Sequence, residues 1–503
     1  MHSKKINFLS QPRGLYYLFL TDLWERFSYY GITAILILYM DKTFQLSTQE
    51  VYAIYGTYGA LIYLVPLLGG WLADNLWGSY RTVIVGTCLI ALGHFIVALR
   101  DPNYYFFYAG LAVIILGTGL FTPNIHATVG HLYKDNDPRR ESGFTLAYMG
   151  RNVGTIIAPI LCAWIAGRTD WHWAFIVAGL GMLVGLWTFM RGKPHYSASS
   201  FVKRTPLQNN NKKIFIFLLF PLSLSIIYLT MRHTNWTSVL LFISVLIIIL
   251  RLILLAWQED AKSRKAISTA SMLTIFYMVF MILLQQSGGT LNLFTDRHIN
   301  KQLGSYTLET GMFQAVEPLA LVLLTPLFTC LWQYADRRKW VISDENKFTI
   351  GLFVMSSSFV VLMVSLSYQN VQGFIAMSWI YIVYVMQAMG ELFIGPIGLA
   401  MISRIIPRRM LGFFMGVWVL GASLANYTAA KIGGWIIPTD EDPTMLFLHY
   451  RHAFFYLALF GFIASFILFA IHYLSRHKHR QNRPTHYLKL QYNSKLDDKT
   501  TVQ

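Results

Sequence analysis

The sequence predicts an all-α integral membrane protein of fourteen transmembrane helices, and three observations lead there. Apolar residues make up 55% of the 503 and charged residues only 13%, with a mean hydropathy of +0.46. A chain this poor in polar groups lacks the surface to dissolve in water, so the bilayer is its solvent. Apolar stretches of roughly 20 residues, the length the hydrocarbon core demands, recur from one end of the chain to the other. Finally, Lys and Arg gather in short segments between those stretches, as they do beside a membrane.

The first stretch, 14–41, follows the short basic segment MHSKKINFLSQPRG and carries Asp22, Glu25 and Arg26. A cleaved signal peptide has no such charges in its apolar core, so this is a retained first helix. Five more spans follow near 51–73, 80–99, 104–128, 143–166 and 170–190. A basic linker, 191–266, holds two extra spans near 214–231 and 237–257. Six further spans lie near 267–292, 311–334, 348–367, 373–402, 409–431 and 450–474. The expected division is a terminus at 1–13, a six-helix bundle at 14–190, the linker, a second bundle at 267–474 and a basic tail at 475–503. Membrane β-strands would alternate polar and apolar residues over about ten positions, and no such pattern occurs.

Of the 41 Lys and Arg, 30 fall on one side of the membrane and 7 on the other if the N-terminus is cytoplasmic. The clusters include Lys134/Arg139/Arg140, Arg191/Lys193, Lys262/Arg264/Lys265 and Arg337/Arg338/Lys339. This asymmetry puts both termini in the cytoplasm of a cell whose inner membrane holds the chain. It also accounts for the +17 formal charge without nucleic acid, and the basic start of the tail suits anionic lipid heads. The three cysteines, Cys88, Cys162 and Cys330, lie inside apolar runs and form neither a disulfide framework nor a zinc set. With no nucleophilic triad and no Walker-type loop, neither an enzyme nor a cofactor is expected.

Charges within spans are costly and face a bundle interior or an aqueous cavity. In DLWERFSYYG, Asp22, Glu25, Arg26, Tyr29 and Tyr30 share an arc of about 140° at about 100° per residue. Arg26 is spaced to pair with Asp22 at i,i+4 and lies beside Glu25. Glu391 is mid-span in AMGELFIGPIGL, where Gly395, Pro396 and Gly398 predict a disturbed helix of the kind that builds transport sites. Glu317, before Pro318, fits either the cavity or its outer mouth. Asn152 in YMGRNVG is a candidate hydrogen-bonding group, and Arg151 points about 100° away from it. Tyr63 joins Tyr29 and Tyr30 as a cavity candidate, since each couples an apolar body to a hydroxyl. Gln285 and Asn292, seven residues apart, should share one helical face. His94 and His126 are most simply packed, neutral histidines.

These residues carry a resemblance. DLWERFSYYG resembles the first-helix signature of the proton-dependent oligopeptide transporter family, within the major facilitator superfamily. GGWLADNLWGSYR at 69–81 is similar to that superfamily's loop between helices 2 and 3, with Asp74, Gly78 and Arg81 in place. GTGLFTPN, DPRRESGFTLAYMGRNVG, GELFIGPIGL and RRMLGFFMGVW follow in the family's order, and the inserted helix pair resembles its bacterial members. The resemblance spans nearly the whole chain. It implies two six-helix bundles plus two inserted helices, rocking about a central cavity as proton entry drives peptide uptake. By the same resemblance Asp22, Glu25 and Arg26 serve proton coupling, Arg26 the peptide carboxylate, Glu391 the peptide ammonium group and Asn152 the peptide backbone.

The chain also departs from the pattern. Thr33 and Thr122 stand where the family has arginine and lysine, Gln285 where helix 7 often has an acid, and Glu317 where helix 8 has asparagine. Two cations are lost and one anion gained, so the cavity favours an amine-rich or cationic ligand. The expected partners are therefore small peptides or amine-containing solutes, protons and membrane lipids, and a monomer suffices because both bundles lie in one chain. Other readings are a transporter of a non-peptide amine or peptide-like metabolite, including an exporter, and a receptor or scaffold that has lost transport.

Overall fold

The computed structural model describes residues 11–44, 46–134, 137, 139–196, 200, 210–338, 343–436 and 443–481. Most of the expected tail at 475–503 and the first ten residues lie outside them. Each expected span is mainly helical, those at 51–73, 267–292 and 311–334 being made of more than one segment. The first group is α1 (Arg13–Thr43), α2 (Thr48–Leu64) continued by α3 (Pro66–Leu72), α4 (Ser79–Val97), α5 (Tyr105–His131), α6 (Arg140–Arg168) and α7 (Trp171–Arg191). The inserted pair is α8 (Asn210–Arg232) and α9 (Asn235–Gln258). The last group is α10 (Ala261–Leu284) with the short α11 (Thr290–His298), α12 (Val316–Arg337), α13 (Asp344–Ser365), α14 (Met377–Ile405), α15 (Arg408–Ile436) and α16 (Pro443–Gln481). Among the described residues 12 helical stretches are long and apolar enough to cross a membrane. Helix α1 has the length, at 31 residues, but carries the charged face.

Local chemistry sets several boundaries. Ser47 caps α2 in a reciprocal box with Glu50, Asp170 caps α7 and Asp260 caps α10, each satisfying amides the first turn leaves open. After α3 the chain makes a five-residue π turn, Ala73–Trp77, and reverses at Gly78, whose φ of 76° favours glycine. Two expectations need correction here. Helix α14 runs unbroken through Pro396 to Ile405; proline removes one backbone bond, and the flanking turns hold the helix. The side chain of Pro396 lies outside the described residues. Gln285 and Asn292 do not share a helical face, because turns at Gln285–Gly289 separate α10 from α11. Asn292 instead donates to the Ala34 carbonyl at 3.0 Å.

The first and last groups form two six-helix bundles. In one, α1 packs on α6 and α7, and α4 on α5 and α7; in the other, α13 packs on α14 and α16, and α10 on α15. The inserted α8 and α9 lie against α5 and α2, with Thr237 bonded to Thr57 at 3.0 Å. Most of α9 points outward, and its mean hydropathy of 3.2 marks a lipid-facing surface. Exposed Trp187 and Trp257 near one level and Trp173, Trp236 and Trp435 near the other form belts where indole prefers the headgroup region.

The bundles meet at the end away from the termini. Helices α2 and α15 pack closely there: a side chain at Gly56 would collide with Ala430, one at Gly59 with Asn426, and Ser423 donates to the Ala60 carbonyl at 2.7 Å. Two ion pairs cross at that end, Arg297–Asp41 at 2.9 Å and Lys42–Asp296 at 2.8 Å, the latter joined by Lys301 at 3.1 Å. Among the described residues, the halves of α5 and α6 near the termini do not pack extensively on α14 or α15. Among the described residues the bundles thus pack closely at one end and only sparsely at the other.

Asp296 lies outside the long spans. Burial would raise its pKa, but Lys301, Lys42 and Thr310 outweigh that and hold it at about 2. A depressed carboxylate contributes above its unfolded value and loses that contribution as pH falls through about 2. The ionic closure should therefore survive mild acid. Spin-label distances between α2 and α15 at the closed end are expected to stay constant from pH 7 to about pH 4, and Asp296→Asn to lengthen them at both pH values.

Candidate functional site

Between the bundles, α1 supplies Asp22 and Glu25, at 3% and 1% exposure, and Arg26. The expected pairing of Arg26 with Asp22 is not the one formed. Arg26 Nε lies 2.6 Å from Glu25 Oε2, an ion contact without hydrogen-bond alignment, and the guanidinium stands 5.5 Å over the Tyr29 ring. Asp22 faces Arg151 of α6 at 3.7 Å, and Arg151 Nη1 bonds His126 Nε2 of α5 at 2.8 Å. The rotation of Arg151 away from Asn152 that the helical period dictates is what lets it meet α1 and α5, while Asn152 remains beside Tyr148 one turn earlier. The close crossing of α1 and α6 depends on Gly154, where a side chain would strike the Leu23 carbonyl.

On the opposite wall, α12 and α14 pack together and bring Glu317 within hydrogen-bonding reach of Glu391. Glu317 therefore faces the interior, which decides between its two expected places. Two carboxylates accept and cannot donate, so this pair needs a proton or a cation between them. Tyr30 lies near enough to Arg26, Glu317 and Glu391 to feel the charge of each. Tyr63 faces Arg26, Arg151 and Glu391, and its hydroxyl is within bonding reach of Gln285. Tyr148 faces Arg151 as well as both glutamates. Tyrosines thus lie between a wall of paired guanidiniums and carboxylates and a wall of carboxyls alone.

Tyr148, 50% exposed, was missed in sequence; its signal was the i,i+4 spacing to Asn152 on the cavity face of α6. Tyr55, beside Gly288, is a second omission. Thr33 bonds its own helix at the Tyr29 carbonyl, 3.1 Å away, and Thr122 has a buried hydroxyl without a hydrogen bond. His94 is fully buried and bonded to Ser28, as a packed histidine should be. Asp74 and Arg81 flank the Gly78 turn at the termini end, both exposed, away from the charged cavity. Among the described residues no cluster of three metal-ligating side chains occurs.

Residues 80–439 match the model of the POT family. The chain belongs to that family. Dipeptide and tripeptide permease A of Proteus mirabilis (strain HI4320) is 30% identical over 94% of this chain and 96% of its own length. The permease of the same name from Serratia proteamaculans (strain 568) is 30% identical over 91% and 90%. Among solved structures, peptide transporter POT in complex with sulfate superposes with a TM-score of 0.82 at 27% identity, covering 92% of this chain and 95% of that one. A variant of that transporter in complex with alafosfalin gives the same values. As a POT-family member the chain has the major facilitator fold and is a multi-pass membrane transporter, not an enzyme.

Removing the cation beside Asp22 tests the cluster. Arg151→Gln should lower stability by about 1–3 kcal/mol, the cost of leaving a buried acceptor unsatisfied. Asp22→Asn in the same chain should recover part of the loss, both read as thermal unfolding in detergent.

Proposed function

We propose that this protein is a proton-coupled symporter of di- and tripeptides, working by alternating access in the cell inner membrane with both termini cytoplasmic. The observation that carries this reading is the two-signed cavity. A peptide is a zwitterion, and the space between Arg26 and the Glu317–Glu391 pair offers a wall of guanidiniums already paired with carboxylates and a wall of carboxyls alone, with tyrosines near both. In this reading Arg26 holds the peptide carboxylate, Glu391 with Glu317 holds the ammonium group, and Asn152 with Gln285 bonds the backbone. Tyr29, Tyr30 and Tyr63 line the apolar path, and Asp22 and Glu25 carry the transported proton. The substrate's ammonium group would replace the proton that the two glutamates otherwise share.

The bundles at 14–190 and 267–474 rock as units, and the linker at 191–266 and the segments 1–13 and 475–503 lie outside that movement. The turn containing Asp74, Gly78 and Arg81 would help close the termini end, and Pro396 would be a bending point in α14. The monomer is the working unit, with lipid against α9 and the basic segments.

The paired glutamates favour a second reading in which the preferred solute is a non-peptide amine or a peptide-like metabolite, moved in either direction. The balance of acids over bases on the α12–α14 wall supports it, since one ammonium group engages both carboxyls.

Uptake of labelled neutral, acidic and lysyl dipeptides into proteoliposomes, with and without an inward proton gradient, distinguishes the two. Gradient-driven accumulation with lysyl peptides preferred over acidic ones is expected; no peptide accumulation by folded, inserted protein would refute peptide symport. Arg26→Ala should reduce driven uptake by about 100-fold, within the 2–5 kcal/mol lost when one partner of a desolvated charge pair is removed. Unaltered uptake would refute its role.

A further inference from the structure

The charges on the α1 side of the cavity balance. Glu25 is paired with Arg26 and Asp22 with Arg151, two neighbouring ion pairs on the polar face of α1. His126 is bonded into this cluster without a role in the reading above. Arg151 Nη1 only donates, so at 2.8 Å the His126 Nε2 must accept. The ring hydrogen is then on Nδ1 and the imidazole is neutral in this structure.

The ring also lines a cleft at the termini end, together with His131, Lys134, Arg140 and His195. It therefore stands between the buried cluster and the surface on the open side. The charged groups that face it are Arg151, Asp22 and Arg26 from the cluster, and the bases of the cleft, where Asp74 faces His131.

We propose that His126 is the proton acceptor matched to the substrate carboxylate, a role that rests on the reading of the arginine wall as the carboxylate site. A carboxylate entering the balanced cluster leaves one uncompensated negative charge. A proton entering with the substrate from the side of the membrane opposite the termini then binds His126 Nε2, and the Arg151 hydrogen bond to that nitrogen breaks. Arg151 Nη1–H turns to the substrate carboxylate, and the loaded cluster is neutral again, with three cations against three anions. Without substrate, a second positive charge beside the guanidinium is opposed by Coulomb repulsion. Without the proton, the carboxylate adds to Asp22 and Glu25. Each ligand thus favours the other, and the coupling is reciprocal. On release at the termini end the proton passes from Nε2 to cleft water, and Arg151 regains its acceptor.

The test uses the full chain in proteoliposomes with a labelled neutral dipeptide. Wild-type uptake should fall as pH rises through the imidazole range, about 5 to 8. His126→Gln keeps an acceptor for Arg151 but no titrating group at that position, so its uptake should be lower and should lose the change attributed to the imidazole range, keeping only what the carboxyls contribute. A merely structural role would scale uptake and leave the wild-type pH profile, and that result overturns the proposal. Should His126→Gln fail to give a monodisperse protein, His126→Asn carries the same test: a lost dependence across the imidazole range supports the proposal, and a wild-type profile overturns it. A wild type that moves no peptide would instead refute the transport reading, and this inference with it.

Discussion

An ionised side chain in the hydrocarbon core costs about 2.5–3.5 kcal/mol even on the lenient insertion scale, and lipid offers no partner to reduce that cost. Placing Asp22, Glu25, Arg26 and Arg151 inside the bundle is therefore possible only if they neutralise one another. That constraint dictates much of what surrounds them. The α1–α6 crossing must be close, which Gly154 permits, so that a guanidinium from one helix reaches a carboxylate on the other. The unbonded Asp22 Oδ1 and Glu25 oxygens in this structure are the remaining acceptor capacity of the cluster. They are what a proton or an entering donor meets.

The glutamate wall follows the opposite logic. Glu317 and Glu391 have each other instead of a cation, and such a pair is incomplete without a proton or a positively charged guest. One wall of the cavity is thus internally satisfied and the other is not. In the proposed reading a zwitterionic peptide would bridge them, with the tyrosines supplying hydroxyls without adding charge. The departures from the family pattern, Thr33, Thr122, Gln285 and Glu317, alter the charged groups available in this part of the chain.

The closed end is held by different chemistry from the cavity. Small residues let α2 and α15 approach to backbone contact, and the ion pairs of Asp41, Lys42, Asp296 and Arg297 lie at the rim, where charges keep access to water. Such pairs contribute little to overall stability. They can separate when the bundles rock, whereas the buried cluster stays intact because all its members except the guest belong to one bundle.

Much of this was legible in the sequence, and for physical reasons. The length and apolarity of each span answer to the thickness of the bilayer. The polar face of α1 follows from the helical period alone, and the Gly78 turn was flagged by its motif. Contacts between helices were not legible. Local spacing suggested Asp22 for Arg26, yet Arg26 meets Glu25 and Asp22 meets Arg151, because partners are chosen by helix rotation and crossing. The junction of Glu317 with Glu391, the turn that parts Gln285 from Asn292, and the link from His126 to Arg151 join positions far apart in the chain or break a regular pattern. Sequence determined which residues the membrane could not solvate; only the packing of the helices decided which of them would solvate one another.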